Sequence, residues 1–362
     1  MNGPKLKNEH SVSDAERSLL RQSVRDLLST HWPVATAVEN SGNPQAVATL
    51  WSAMARQGLA SLGCDAAEVG TREILLVFEE LGRASCPAPL IGAVAANLAL
   101  AAQPSSSARA LLEDLREGKA MLALALGPFD GDAAAGGVEV RGDRLSGKLS
   151  FVEGGEAATH FLICTAAPDG IAVVARDAPG VELQPTPGLA VPPLCELALN
   201  NAPAARAQVA SSSLADIALL TRLACAARAL GAAERAFDLA VEHVKVRKQF
   251  GQPVGQFQAV QHKLANCLIS LDGVRLTLEA AAQARDEGNR DWRFFAASAL
   301  AFAGPALRSV SIETHRSLGA IGYAEEHEAP RHFRRVHADL ARFGGVARAR
   351  AALASFLLGP VH

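Results

Sequence analysis

No Cys-x-x-Cys pair occurs among the six cysteines, which are scattered at Cys64, Cys86, Cys164, Cys195, Cys225 and Cys267. That spacing argues against a disulfide framework or a structural zinc site and for buried, reduced thiols in a reducing cytoplasm. No block of basic residues is present and the formal net charge is −2, so nothing supports a nucleic-acid role. No apolar run reaches about 18 residues without a charge, so no membrane span is expected. The first twenty residues are polar and lack the apolar core of a secretion signal; the expectation is a cytoplasmic protein.

What is present is apolar material in quantity. It makes up 49% of 362 residues, enough for a sizeable interior, and the length predicts two or three domains. The chain is organised around the stretch from Val244 to Asn266. Upstream, Ala233, Phe237, Val241 and Val244 lie on one helical stripe; downstream, Val260, Leu264, Cys267, Leu271, Val274 and Leu278 repeat the spacing. Between them Gly251, Pro253 and Gly255 stop one helix and turn the chain. Arg247 and Lys248 suit a helix C-terminus, where cations meet the negative end of the dipole; residue chemistry alone asks no more of them.

The run Arg247-Lys248-Gln249-Phe250-Gly251, followed by Phe257-Gln258-Ala259-Val260-Gln261-His262-Lys263-Leu264-Ala265, resembles the signature of the acyl-CoA dehydrogenase family. The resemblance implies an α+β fold: an N-terminal helical domain, a middle antiparallel β domain and a C-terminal four-helix bundle that packs into a dimer of dimers. It implies FAD as cofactor, with the arginine and the Phe-Gln glutamine reaching a flavin bound by a neighbouring chain. A guanidinium fork suits a pyrophosphate.

Taken in order, the chain agrees. From Ser11 to about Lys119 it is helical. Ser13 could cap a helix carrying Leu19, Leu20, Val24, Leu27 and Leu28, and Glu79-Glu80-Leu81-Gly82-Arg83-Ala84 resembles a domain-helix end of the family. From 120 to 208, short apolar runs (121–126, 137–140, 161–166, 171–175, 181–183) alternate with turn residues, the reading of an antiparallel β domain. Leu145–Val152 and Asp177–Val181 resemble pieces of the family's middle domain. From 209 to 362 it is helical again: one alanine-rich helix to about Gly231, the corner, a helix to about Glu287, and another from Trp292 to about Leu318. The segment Glu313–Glu326 resembles the family's glycine loop that approaches the FAD diphosphate. Here Arg316 stands for a glutamine and Ala320 for the second glycine, and an alanine keeps the turn if its φ is negative.

The resemblance makes Arg247, Gln249, Phe250, Phe257, Gln258, Arg316, Gly319 and Ala320 the candidate cofactor residues. It also implies oxidation of an acyl-CoA thioester, fatty-acyl or steroid side-chain, with a carboxylate taking the α-proton while hydride leaves the β-carbon. The two positions that carry this glutamate in the family hold Phe343 and Thr221, neither of them a base. Asp339 and Glu313 are the remaining candidates. The family's flavin-side loop is replaced by a shorter stretch at 127–137, and its Trp-Ile-Thr by Phe151-Val152-Glu153. Residues lent to a neighbour's FAD are thus largely kept, whereas those for the chain's own flavin and substrate are eroded. That pattern matches the short subunit of a heteromer, probed against the alternative of a flavin-free assembly or acyl-CoA-binding scaffold. The implied partners are an acyl-CoA, a homo- or hetero-tetramer and an electron-transfer partner; no metal is implied.

Overall fold

The computed structural model describes residues 12–40, 42–65, 69–101, 103, 105–129, 136–166, 169–188, 190–342 and 345–359. Ser13 does open the first helix, α1 (Asp14–His31): its hydroxyl accepts the Glu16 N–H while the Glu16 carboxylate accepts the Ser13 N–H at 2.7 Å. Val24, Leu27 and Leu28 are buried, but Leu19 is 70% exposed; five residues before Val24, it is turned about 140° from the buried face. Then come α2 (Val34–Asn40), α3 (Pro44–Arg56), α4 (Thr71–Arg83), α5 (Leu90–Leu100) and α6 (Ser106–Arg116).

Eight strands follow: β1 (Leu122–Ala125), β2 (Gly136–Arg141), β3 (Arg144–Glu153), β4 (His160–Ala166), β5 (Asp169–Ala175), β6 (Val181–Pro185), β7 (Leu194–Pro203) and β8 (Ala205–Ala207). They form two four-stranded sheets, ordered β1-β4-β5-β8 and β2-β3-β7-β6, and Leu145, Leu149, Phe161, Ile163, Val174 and Leu197 share one core cluster. Every pairing is antiparallel except β1 with β4, which is parallel. No hairpin joins those two strands, because β2 and β3 of the other sheet intervene, and only a tight turn would impose the antiparallel sense. The sequence reading missed β7, whose outward Glu196, Asn200 and Asn201 break up its apolar run.

The C-terminal helices are α7 (Ser211–Val246), α8 (Gln258–Asp286), α9 (Trp292–Leu318), α10 (Ala329–Ala341) and α11 (Gly345–Leu358), with a small hairpin, β9 (Lys248–Gln249) and β10 (Gln252–Pro253), between α7 and α8. Among the described residues α9 alone is long and apolar enough to cross a membrane; it packs against α7, α8 and α11 as a bundle helix. The expected helix end near Gly231 is not there. α7 is one helix of 36 residues, and Gly231 lies inside it because α4 passes too close for a side chain. A Cβ on Gly231 would lie 1.8 Å from the Glu79 carbonyl oxygen, and one on Gly82 would lie 1.9 Å from that of Arg228. An interior glycine costs about 1 kcal/mol of helix propensity; the packing made possible by the bare backbones outweighs it.

Charged residues flank this crossing. Glu80, buried, accepts from Arg21 at 2.6 Å and from Arg25 at 2.7 and 3.0 Å, which docks α1 on α4. Arg83 reaches Asp238 of α7 at 2.6 Å. Further along α7, Arg235 pairs with Glu328 at the start of α10, and His332 lies 3.4 Å from the same carboxylate and 3.1 Å from the Ser85 hydroxyl. Burial by itself would raise the Glu328 carboxyl, but hydrogen bonds from His332 and Arg235 override it and hold the group at about 2.

Two outcomes follow from this packing. Gly231→Ala should destabilise the protein by about 1–3 kcal/mol in chemical denaturation, against the gain that helix propensity alone predicts. Gly42→Ala, where nothing lies within 4 Å of the added carbon, should be nearly silent. Glu328 gives up its proton more readily folded than unfolded, so its contribution is complete above the ordinary value of 4.5 and is lost as pH falls toward 2. Urea midpoints measured across that range should fall more steeply for the parent than for Glu328→Gln.

Candidate functional site

The corner after α7 is built as a two-residue hairpin turn. Gln249 pairs with Gln252 and Lys248 with Pro253, leaving Phe250 and Gly251 as the central residues, with φ of 53° and 83°. Positive φ at both positions is the type I′ signature. Glycine suits it; phenylalanine does not, because its Cβ crowds the backbone in the left-handed region. Phe250 is nevertheless there, 92% exposed, with the Phe257 ring edge-on beside it at 6.2 Å between centroids. Strain and apolar exposure coincide at one residue, the combination that marks functional positions. Arg247, Lys248, Gln249 and Gln258 are exposed alongside. Among the described residues no hydrogen bond or ion pair engages the Arg247 guanidinium.

The glycine loop lies at the same end of the bundle. Val244 of α7, Leu264 of α8, Leu318 of α9 and Ala329 of α10 share one small apolar cluster, which brings the corner and the turn 319–323 together. Gly319 ends α9 with φ of 63°, whereas Ala320 is not among the residues of positive φ, so the alanine is accommodated. Arg316 is exposed but turned onto Glu313 at 2.6 Å, and Lys263 of α8 meets the same carboxylate at 3.1 Å. Burial would raise the Glu313 carboxyl, and these two cations hold it below the ordinary range instead. A carboxylate so paired is a poor general base. All eight candidate cofactor residues are therefore grouped at this end.

Glu313 shares this end, but two other candidates do not. Thr221 and Asp339 lie toward the middle of the fold, where the structure contains a buried ion cluster that sequence reading missed. Arg228, 1% exposed, sits on α7 two turns after Thr221. Its Nη1 and Nη2 donate to the two oxygens of Glu153 at 2.6 and 2.7 Å, and its Nε and Nη2 donate to Asp339 at 2.9 and 2.6 Å. Arg342 also pairs with Glu153, and Arg335, wholly buried, donates to the Cys86 carbonyl at 2.6 Å. Burial alone would raise the Glu153 carboxyl, but Arg228 and Arg342 drive it well below the carboxylate range. Burial, and Arg228 nearby, lower Arg335 to about 10.

Asp339, a candidate base, has both its oxygens taken by Arg228. Glu313 faces two cations at the opposite end of the bundle. Phe343 lies outside the described residues, as do 130–135 of the shortened loop; its neighbour Arg342 is in the cluster. Phe151, matched by resemblance to a residue beside the flavin, has φ of 61° at a register shift between β3 and β7. The signal that could have found the cluster is a lone charge in an apolar stretch: Arg228 among alanines, Glu153 after Phe151-Val152. From Arg228 to Arg247 the helix rises about 28 Å, and from Thr221 about 39 Å. One chain's corner does not serve its own Thr221.

These features have counterparts in known proteins. Residues 14–107 match the acyl-CoA dehydrogenase N-terminal domain and residues 214–355 the acyl-CoA dehydrogenase C-terminal domain. Acyl-CoA dehydrogenase IpdE2 of Mycobacterium tuberculosis is 30% identical over 331 residues, covering 89% of this chain and 91% of that protein. The structure of the steroid ACAD Tcur3481-Tcur3483 superposes with a TM-score of 0.82 at 28% identity, over 95% of this chain and 98% of that one. That of the ChsE4-ChsE5 complex from Mycobacterium tuberculosis shares the fold, with a TM-score of 0.80 at 23% identity over 98% and 100%. With both end domains matched and a relative aligned along nearly its whole length, the chain belongs to the acyl-CoA dehydrogenase family.

Proposed function

We propose that this chain is a subunit of an FAD-dependent acyl-CoA dehydrogenase and lends Arg247 and its neighbours to the flavin of a catalytic partner chain. One observation carries the proposal: an exposed, unengaged guanidinium stands beside a strained, exposed Phe250, about 39 Å along α7 from Thr221. A group with phosphates and a flat apolar surface, presented by another chain, satisfies both. The related steroid ACAD, which pairs two proteins in its name, supports a hetero-oligomer and a substrate with a steroid or fatty side chain on the CoA thioester.

In such an assembly Arg247 would hold the pyrophosphate, to which a guanidinium fork is suited and a lysine is not. The Gln258 amide, at the first turn of α8, adds a donor close to that helix's positive end. Phe250 and Phe257 would cover apolar surface and exclude water, and the backbone of Gly319 and Ala320, with no side chain or only a methyl, would leave room for the diphosphate. When bound, FAD supplies the acceptor for the hydride that leaves the β-carbon of the thioester. The α-proton needs a carboxylate within hydrogen-bond reach. Thr221 does not provide one, Asp339 and Glu313 are committed to cations, and so the base belongs to the partner.

Arg247→Ala should weaken FAD retention by the assembled oligomer at least tenfold, because a charge-assisted phosphate contact contributes about 1.5–3 kcal/mol. Its urea midpoint should stay at that of the parent. Flavin released on dilution is the measurement, and an unchanged off-rate defeats the proposal. Without a partner the purified chain should show no dehydrogenation of acyl-CoA thioesters with an artificial electron acceptor; robust turnover would return the base to this chain.

A further inference from the structure

We infer that the cleft between α1, α4, α7 and α8 is a ligand site of its own, built for a small organic acid: a carboxylate on a short-chain or single-ring apolar body. The site goes beyond the lending role and does not rest on it. From Leu230, which lines the cleft, to Arg247 the helix rises about 26 Å, so the two surfaces are apart.

Helix packing leaves the space. α1 and α8 both dock on α4, and each of the three turns a stripe spaced i, i+3, i+4, i+7 toward the gap. The stripes are 14, 17, 18 and 21 on α1, 72, 75, 76 and 79 on α4, and 275, 278, 279 and 282 on α8. Leu75, Leu76, Ala227, Leu230, Leu278 and Ala282 are buried and make an apolar floor; the two alanines are too short to fill it. The α1 stripe of Asp14, Arg17, Ser18 and Arg21 has no apolar member. A polar wall thus faces an apolar floor across a volume of about 280 Å³. Sites for drug-sized ligands run from about 300 to 1,000 Å³. This cleft suits something smaller and is too small for a whole CoA thioester.

The wall decides the charge of the ligand. Arg17, Arg21, Arg72 and Arg275 line the cleft with Asp14, Glu79 and Glu279. Nη1 of Arg21 alone serves both Glu79 and Glu80, at 2.6 Å each. Arg17 gives Nε to Glu73 at 2.7 Å and Nη1 to Asp14 at 2.8 Å. Among the described residues nothing accepts from Nε or Nη2 of Arg21, nor from Nη2 of Arg17. Nε of Arg72 is buried without a hydrogen bond, 3.5 Å from Asp286. These cations are held in place by their existing partners and still have donors to spare. Nε and Nη2 of Arg21 are the parallel pair that a carboxylate accepts side-on. A neutral molecule of the same shape gains only the floor.

The test uses the purified full chain, with hexanoate and benzoate as probes and 1-hexanol and benzyl alcohol as their neutral counterparts, titrated by calorimetry. Each acid should bind saturably, one per chain, and about tenfold or more tighter than its alcohol. Ser18→Trp, which sets a ring in the cleft from an exposed position, should abolish binding of both acids. Arg21→Gln should weaken the acids by about tenfold or more and leave the alcohols unchanged; Glu80 keeps Arg25 and Glu79 keeps Arg275 in that variant. Absence of saturable binding, equal affinity for acid and alcohol, or binding indifferent to Ser18→Trp would each overturn the inference. None of these outcomes depends on Arg247 or on a partner chain.

Discussion

The contact on which the rest of this structure depends is the meeting of two bare backbones where α4 crosses α7. Gly82 and Gly231 let the helices approach until each carbonyl occupies the space of the other's missing side chain. Interiors this dense tolerate no extra carbon. The crossing fixes α7 as a rigid rod against the N-terminal helices, and the ion pairs of Glu80 and Arg83 hold its flanks. Everything relevant to function hangs from that rod. Arg228 is one turn from the crossing, and Arg247 is at the far end.

The two arginines show how burial decides what a charge does. At Arg228 water is absent, and a guanidinium is tolerable only with carboxylates on its donors; Glu153 and Asp339 supply them and the network closes. At Arg247 solvent satisfies the same group cheaply, so it remains uncommitted. An exposed cation with no partner among the described residues is available to another molecule, and a buried one held by two carboxylates is not. The same residue type is thus a structural joint at one end of a helix and a contact surface at the other. Phe250 reinforces the second assignment, since its strained turn and exposed ring are both unfavourable in the isolated chain.

Legibility followed the range of the interactions. The corner at 247–258 was readable because turn residues and a 3.6-residue apolar stripe are local properties. The first helix was readable from Ser13 and Glu16 for the same reason. Gly231 was misread as a helix end, because a glycine that breaks a helix and one that admits a crossing helix look alike in sequence. The parallel sense of β1 and β4 was missed, since strand pairing depends on where the intervening strands go.

What the sequence determined alone was the alternation of helical, strand and helical segments, the position of the corner, and the absence of a carboxylate at Thr221. All of these are statements about neighbours in the chain. What only the tertiary structure decided was the fate of the charges. Glu153, Arg228 and Asp339 are 75 and 111 residues apart in pairing, and no periodicity links them. Their ion network comes from packing β3, α7 and α10 into one dry volume, where carboxylates on the Arg228 donors offset the cost of burying its charge.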